Sequence, residues 1–330
     1  MKIVLEGHDE PIPVEAGDTI LASLLRAGVA FPFSCQSGNC GTCKCELVSG
    51  DVLDLEYSEH ALAPEERARG VILACRTQVW DDTVVRRIDA EELVVHPSRV
   101  MRCRVLELDE LTHDIKGVRL AVEAGGPMRF SAGQYAEVEF APGLSRHYSM
   151  ASTPEEPELV FHVRHLPGGR TSGYVATQLK VGDRVKVSGP LGISYLREQH
   201  RGPVLLVAGG SGLAPMQSIL ATLLERGHEA PVTLYFGARS ERDVYHERLL
   251  RDFAGKHANF SYQVVLSEQK GIAGRRYGLV HEAIELNGPG EDCRAYLAGP
   301  PVMVEAASAR LSALGLAPRQ IHADAFYDQG

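Results

Sequence analysis

The 330-residue sequence lacks long apolar segments, a leader-like start and an excess of basic charge. Its main apolar run, residues 203–208, is far shorter than the roughly 18–20 residues that a membrane-spanning helix needs. The first residues, 1–6, lack the apolar core of a signal peptide. A formal net charge of −9 argues against a nucleic-acid binder, whose surface is normally basic. These absences predict a cytoplasmic protein with no membrane and no nucleic-acid partner.

The positions of the seven cysteines are the first positive feature of the sequence. In a reducing compartment they are not expected to form a disulfide framework. Cys35, Cys40 and Cys43 follow a C-x4-C-x2-C pattern, and Cys75 follows after 31 residues, which is the plant-type spacing for a 2Fe–2S cluster. A zinc site would favour two C-x2-C pairs, and only one such pair is present. We therefore predict that these four cysteines bind the cluster.

The cluster motif and the segments around it predict a small α+β domain over residues 1–90. Cysteines 45, 103 and 293 are expected to be buried packing residues. Asp18 or Thr19 is placed to cap a helix, and Gly38 and Gly41 are expected to let the cluster loop curl tightly. The domain carries 15 acidic and 8 basic residues, a balance of −7. The pattern resembles the β-grasp ferredoxins of plants and of bacterial reductases.

A second domain is predicted over residues 100–198, after a linker at residues 91–99. Short strand-like segments punctuated by Gly and Pro predict an antiparallel β-barrel. Within it, Arg146, Tyr148 and Ser149 form an R-x-Y-S pattern that resembles a known flavin-binding signature, and the chemistry of these residues suits that role. A guanidinium can bind a diphosphate through two bonds, and a tyrosine ring can stack on a flavin. The serine hydroxyl can approach the reactive nitrogen of the flavin ring, so Ser149 is a candidate catalytic residue.

The R-x-Y-S pattern resembles the flavin-binding signature of the ferredoxin–NADP reductase superfamily. The resemblance extends to a strand carrying His162 and Arg164 and to a helix start containing Gly169, Thr171 and Ser172. The free amides of that helix start are expected to lie beside the diphosphate. This resemblance implies FAD as a cofactor of the barrel.

A third domain, over residues 199–330, is predicted to be Rossmann-like because strand and helix patterns alternate. The run at residues 203–208 predicts a parallel strand buried on both faces. It leads into a glycine loop and a helix, an order that forms a phosphate cradle. The residues predicted to form this cradle are Gly209, Gly210, Gly212 and Pro215.

Two further segments resemble the nucleotide and flavin sites of the same superfamily. Gly299 and Pro300 resemble part of its C-G-P-P motif, with Ala298 where a cysteine is usual. This replacement is expected to affect the positioning of the nicotinamide and to leave hydride transfer possible. In the superfamily a C-terminal aromatic residue often covers the flavin, and Phe326 is the leading candidate for that catalytic role ahead of Tyr327.

The sequence also bears on the choice between NADH and NADPH. Arg239 and Arg242 follow the second strand of the third domain, but Glu241 and Asp243 lie beside them. A site for NADPH needs positive charge for its extra phosphate. We therefore predict that Arg239 contacts the nucleotide and that NADH is preferred.

The order of ferredoxin, flavin barrel and nucleotide domain resembles the reductase component of bacterial ring-hydroxylating dioxygenases of the naphthalene, benzoate and salicylate type. The resemblance implies an NADH-dependent oxidoreductase that passes electrons through FAD and the 2Fe–2S cluster to a Rieske ferredoxin or the terminal oxygenase. A diiron hydroxylase or a deoxysugar dehydratase partner is the alternative acceptor. Two other hypotheses stay open: the cysteines form a structural or sensing site, or the protein is a flavin oxidase or reductase of free substrates.

Overall fold

The computed structural model describes most of the chain in two compact units. They are residues 1–95 with 191–193 and residues 96–190 with 194–330. Residues not described are 30, 34, 35, 37, 39, 40, 42, 60, 89–93, 95, 287–291 and 328–330. Cys35, Cys40 and much of the predicted linker therefore lie outside the described residues. Among the helices that are described, none combines the length and the apolar character needed to cross a membrane.

The first unit is built on a mixed sheet. Its elements are β1 (Lys2–Leu5), β2 (Ile12–Pro13), α1 (Ile20–Arg26), β3 (Lys44–Ser49), β4 (Val52–Asp54), α2 (Pro64–Ala68), β5 (Val71–Leu73), β6 (Thr77–Val79) and β7 (Thr83–Arg87). The sheet has the order β2-β1-β7-β3-β5, with β1 and β7 parallel, and β4 pairs with β6. Of the two predicted caps, Thr19 is the one used: its hydroxyl accepts from the Ala22 amide at 3.2 Å. The apolar face of α1 packs into the core of this unit.

The second unit begins with the predicted antiparallel barrel. Its elements are β8 (Arg99–Glu110), β9 (Ile115–Ala124), β10 (Tyr135–Ala141), β11 (Leu144–Ser149), β12 (Glu158–Arg164), α3 (Arg170–Thr177) and β13 (Arg184–Leu191). The sheet order is β11-β10-β13-β8-β9-β12. Its two edge strands meet just after β11, where Met150 bridges to Phe161 and the Ala151 amide donates to the Val160 carbonyl at 2.7 Å. This contact closes the sheet, and the alternating inward residues fill its interior.

The rest of the second unit is a parallel sheet flanked by helices. Its elements are β14 (Val204–Gly209), α4 (Leu213–Glu225), β15 (Val232–Ala238), α5 (Glu247–Lys256), β16 (Phe260–Leu266), β17 (Arg276–Tyr277), α6 (Val280–Ala283), β18 (Arg294–Gly299), α7 (Pro301–Ala313) and β19 (Ile321–Ala325). The order β17-β16-β15-β14-β18-β19 reverses beside β14, so the carboxyl ends of β14 and β18 form the crevice where ligands of such sheets bind. The predicted fold class, a β-grasp ferredoxin, a flavin barrel and a Rossmann-like domain, is confirmed.

A buried histidine predicts how the stability of the second unit depends on pH. His322 is 8% exposed and stacks on Tyr296, and its Nε2 has no hydrogen-bond partner among the described residues. Burial, with the positive charges of Arg197 and Arg294, lowers its pKa from 6.5 to about 2. Between these values the unfolded chain binds a proton that the folded chain does not. The free energy of unfolding should therefore fall as the pH drops below 6.5, by up to about 1.4 kcal/mol per pH unit.

Urea unfolding at pH 7 and at pH 5 tests this expectation. The variant His322→Phe keeps an aromatic ring against Tyr296 and cannot take up the proton. Its loss of unfolding free energy between the two pH values should be smaller than that of the parent protein by roughly 2 kcal/mol. Equal losses in the two proteins would show that His322 does not carry the effect.

Candidate functional site

Two of the four predicted cluster ligands lie side by side in the described structure. The Sγ atoms of Cys43 and Cys75 are 3.1 Å apart, and the Cys75 amide donates to the Cys43 sulfur at 3.4 Å. A disulfide bond is about 2.05 Å long, so the two residues are not disulfide-bonded, although their sulfur atoms lie close together. Cys35 and Cys40, the other two predicted ligands, lie outside the described residues.

The described part of the cysteine loop has the tight backbone that a small cluster needs. Gly38 and Gly41 have φ values of +78° and +71°, in the left-handed region that favours glycine. A Cβ at position 41 would stand 2.7 Å from the carbonyl oxygen of Ala61. The loop at Gly41 is thus closely packed against the backbone of Ala61, and Cys43 follows two residues later. Thiolates are the donors that hold a 2Fe–2S cluster, so these residues fit that group.

The other three cysteines are buried, as predicted for packing residues. Burial raises the pKa of Cys45 and of Cys103 to about 12, and that of Cys293 to about 11. These thiols stay protonated at neutral pH, and a metal ligand must be a thiolate.

The R-x-Y-S residues lie on β11 at the side of the barrel that faces the parallel sheet. Tyr148 is half-buried and packs edge-to-face on Phe140, with ring centroids 5.7 Å apart, and burial raises its pKa. The Ser149 hydroxyl is almost fully buried and donates to Oδ2 of Asp324 at 3.2 Å. A residue at the end of β11 and a residue of β19 thereby meet.

The predicted diphosphate residues gather at the start of α3. Gly169 is the N-cap of this helix, and a Cβ there would stand 2.5 Å from the Ser172 hydroxyl. That hydroxyl accepts from the Leu166 amide at 3.1 Å, and Thr171 beside it is buried. The first-turn amides of α3 lie at the positive end of the helix dipole, where an anion is stabilised. The donor set therefore fits the diphosphate of FAD.

The predicted nucleotide residues meet at the crevice between β14 and β18. A Cβ at Gly212 would overlap the carbonyl oxygen of Ala298, and one at Gly299 would stand 3.1 Å from Cα of Gly209. The glycine loop is a 3₁₀ turn over Gly210–Gly212 that leads directly into α4. Only glycine, which has no side chain, lets these backbone segments approach so closely. The same absence of side chains leaves a cradle for a dinucleotide. The proline of each segment lies in or next to a helix: Pro215 in the first turn of α4 and Pro300 at the N-cap of α7.

Two arginines of the predicted site are held by carboxylates. Arg239 follows β15 and donates to Asp114 at 3.0 Å and to Asp243 at 2.7 Å. Arg164, at the end of β12, donates to the same Asp114 oxygen at 3.1 Å. A nucleotide phosphate would therefore have to compete with two carboxylates for the Arg239 guanidinium.

Asp324 is a site residue that the sequence reasoning missed. It lies beside Ala298 in the register of β18 and β19, and it accepts the Ser149 hydrogen bond. Desolvation raises its pKa from 3.8 to about 6, and the Ser149 hydrogen bond opposes that rise. An aspartate between alanines in a strand, two residues before the predicted aromatic Phe326, is the signal that could have identified it.

Phe326 continues from Asp324 along the same edge of the sheet. Its amide donates to the Gly299 carbonyl at 2.9 Å, and its half-buried ring packs against the core of the nucleotide domain. The structure therefore brings Phe326, Gly299 and Asp324 together. His162 lies elsewhere on the barrel, where its ring is buried against Tyr245.

Comparison with known proteins identifies all three domains. Family models match a 2Fe–2S iron-sulfur cluster binding domain at residues 3–79, an oxidoreductase FAD-binding domain at residues 102–195 and an oxidoreductase NAD-binding domain at residues 206–309. These matches confirm the predicted cofactors and oxidoreductase class.

Whole-length relatives agree with the family models. The chain is 42% identical over 331 residues to the ferredoxin–NAD(P)+ reductase component of the naphthalene 1,2-dioxygenase/salicylate 5-hydroxylase systems of Ralstonia sp., with 100% of both chains covered. It is 39% identical over 335 residues to that of the naphthalene 1,2-dioxygenase system of Pseudomonas putida, again with 100% of both covered. The crystal structure of the Amycolatopsis cytochrome P450 reductase GcoB superposes with a TM-score of 0.81, at 37% identity and with 98% of each chain covered. The chain therefore belongs to the family of ferredoxin–NAD(P)+ reductase and electron-transfer components of oxygenase systems, oxidoreductases that combine 2Fe–2S, FAD and NAD domains.

Proposed function

We propose that this protein takes electrons from NADH and delivers them singly to a Rieske ferredoxin or to the terminal oxygenase of an aromatic-ring-hydroxylating dioxygenase. The observation that carries the proposal is the hydrogen bond from Ser149 to Asp324 at 3.2 Å. It joins the strand that bears the flavin signature to the sheet edge that bears the nucleotide cradle. A flavin ring and a nicotinamide held by these two elements would meet at this point.

The barrel residues are proposed to hold FAD. Arg146 and the first turn of α3 would bind the diphosphate, together with Arg164, and Tyr148 would stack on the ring. FAD, when bound, supplies a group that exchanges two electrons with NADH and single electrons with a cluster. Ser149 would place its hydroxyl by the reactive nitrogen, and Asp324 would hold that hydroxyl in one orientation. This role makes Ser149 a catalytic residue and Asp324 a positioning residue.

The third domain is proposed to bind NADH through the backbone of its glycine loop and of Gly299 and Pro300. Phe326 is proposed to cover the flavin ring until the nicotinamide displaces it. Arg239 is the proposed cation near the nucleotide, and its two carboxylate partners favour NADH because they already occupy the guanidinium. The proposed domain limits are 1–90, 100–198 and 199–330, with a linker at 91–99.

The proposed acceptor is supported by the names of the relatives and by the charge of the first domain. The two relatives described above belong to naphthalene dioxygenase systems. The balance of −7 over residues 1–90 suits a partner with a basic surface, and attraction of this kind weakens with salt. A cytoplasmic location is proposed with it, since such partners work where NADH is supplied.

A comparison of acceptors tests the proposal. The cofactor-loaded protein and NADH would be mixed in turn with a Rieske ferredoxin, a Rieske oxygenase and a diiron hydroxylase at equal concentrations. We expect one of the two Rieske proteins to be reduced at least about tenfold faster than the diiron protein, and to slow as ionic strength rises. Faster reduction of the diiron protein would favour the alternative acceptor and overturn the proposal.

A further inference from the structure

Two successive buried hydrogen bonds link the barrel to the glycine loop, and they are separate from the Ser149–Asp324 hydrogen bond. Nδ1 of His162, on β12, lies 3.1 Å from the hydroxyl of Tyr245. The Tyr245 hydroxyl donates to the carbonyl of Gly210 at 3.3 Å. His162 and Tyr245 are each 4% exposed, so water does not compete for these bonds. The function proposed above does not use Tyr245.

The direction of the two hydrogen bonds follows from the number of protons that the side chains of His162 and Tyr245 carry. Burial, with the nearby His246, holds the pKa of His162 well below 6.5, and burial raises the pKa of Tyr245, so both side chains are neutral. A tyrosine hydroxyl has one proton, which goes to the Gly210 carbonyl. His162 must then donate from Nδ1, and its Nε2 is left without a hydrogen-bond partner among the described residues. His162 therefore donates to the Tyr245 hydroxyl, and the Tyr245 hydroxyl donates to the Gly210 carbonyl.

Holding the Gly210 carbonyl also orients the next amide. Gly210 begins the 3₁₀ turn with φ of +55°, and its carbonyl accepts a second bond from the Leu213 amide. Because a trans peptide is planar, the N–H of Ser211 points away from the carbonyl that Tyr245 holds. The Tyr245 hydroxyl thus sets the orientation of an amide in the middle of the predicted phosphate cradle.

The neighbours of Tyr245 keep its ring in place. Phe236 packs on it edge-to-face with centroids 5.7 Å apart, and His246 does so at 5.1 Å. His246 has φ of +54°, a left-handed conformation that a residue other than glycine adopts at some cost. Its Nδ1 lies 2.6 Å from Oε1 of Gln217 on α4, the helix that follows the cradle. The Tyr245 ring is therefore fixed from both sides, and its hydroxyl is the one polar contact from this ring to the loop among the described residues.

We propose that Tyr245 is a positioning residue that presents the Ser211 amide to the diphosphate of NADH. This inference rests on the proposed use of NADH. Tyr245→Phe would keep the packed ring and remove both bonds of the hydroxyl, the one it donates to Gly210 and the one it accepts from His162. The Gly210 carbonyl would then be held by the Leu213 amide alone, so the Ser211 amide would be less firmly oriented, and affinity for a diphosphate should fall about five- to tenfold, as expected for the loss of one hydrogen bond.

The test uses ADP-ribose, which carries the diphosphate and lacks the nicotinamide, with the full-length cofactor-loaded protein. Calorimetry should show the dissociation constant for ADP-ribose rising about five- to tenfold in Tyr245→Phe. Hydrogen exchange of the Ser211 amide should become faster in the same variant. The matched control is Tyr235→Phe, because the Tyr235 hydroxyl also bonds backbone, accepting from the Glu285 amide at 3.2 Å, on the other face of the sheet. The control should change neither measurement by more than about twofold.

Three results would overturn the inference. The first two contradict the positioning role of Tyr245, and the third also contradicts the proposed function. If Tyr245→Phe binds ADP-ribose as the parent does, with unchanged exchange at Ser211, the positioning role is wrong and the proposed function stands. If Tyr235→Phe loses as much affinity, the effect is a general loss of packing. If the parent protein binds no ADP-ribose, the nucleotide site of the proposed function is wrong, and this inference falls with it.

Discussion

Cys75→Ser is expected to lower NADH-driven reduction of a protein acceptor by at least about 100-fold, while NADH bleaches the flavin absorbance as fast as before. The Cys75 sulfur lies 3.1 Å from that of Cys43, and both residues are buried and not disulfide-bonded. Serine removes a thiolate from the four predicted ligands. The residues proposed to hold FAD and NADH belong to the other compact unit, so the first half of the electron path should be spared.

The matched control for this variant is Cys45→Ala. Cys45 follows Cys43 by two residues and is fully buried, but its raised pKa, about 12, makes it a packing thiol. Iron content and acceptor reduction should therefore persist in the control, with some loss of stability. Retention of iron and full acceptor reduction in Cys75→Ser would show that Cys75 is not a ligand. Equal losses in both variants would point to unfolding of the first unit.

Ser149→Ala is expected to slow the reaction of NADH with the flavin about 100-fold, with FAD still bound. The Ser149 hydroxyl is the polar group that this chain places at the meeting of β11 and β19. Loss of a single preorganised hydrogen-bonding group from an active site commonly lowers the rate by about 10² to 10³. The measurement is the limiting rate of flavin bleaching at saturating NADH. Ser145→Ala on the same strand is the control, since its hydroxyl bonds only to Glu137 among the described residues, at 2.8 Å.

The partner of Ser149 adds a pH signature to this prediction. The pKa of Asp324 is raised to about 6, so its carboxylate forms, and accepts the serine proton most strongly, as the pH rises through 6. The limiting rate should increase between pH 5 and pH 7 in the parent protein. In Asp324→Asn, which does not ionise, that increase should be absent. A full rate in Ser149→Ala, or an unchanged pH profile in Asp324→Asn, would remove this pair from the reaction.

Local signals in the sequence were sufficient to predict the order of the domains and many elements. The cluster motif depends on spacing along one loop, so Cys43 could be assigned without the fold. The apolar run at residues 203–208 predicts a strand, and it forms β14 (Val204–Gly209), which is buried at every position as a central parallel strand requires. The carboxyl ends of β14 and β18 could be predicted as the candidate nucleotide crevice because each strand ends at a glycine.

The missed contacts depend on packing between distant parts of the chain. Ser149 and Asp324 are 175 residues apart in the sequence, and His162 and Tyr245 are 83 residues apart. No local sequence pattern therefore predicts that the two residues of either pair are in contact. The position of His162 in the motif predicts a contact with the flavin, whereas its hydrogen bond with the Tyr245 hydroxyl, at 3.1 Å, has no signal in the sequence. The carboxylates that hold Arg239 include Asp114, which comes from the barrel and not from the neighbouring sequence.

An anaerobic titration with NADH tests the central claim, that one chain carries a two-electron flavin and a one-electron cluster in series. The flavin takes two electrons and the cluster one, and each NADH supplies two. Full bleaching of the visible spectrum should therefore need about 1.5 equivalents of NADH per chain, with the flavin and cluster bands both lost. An end point at about 1.0 equivalent with flavin bands alone, or no bleaching at all, would contradict the account.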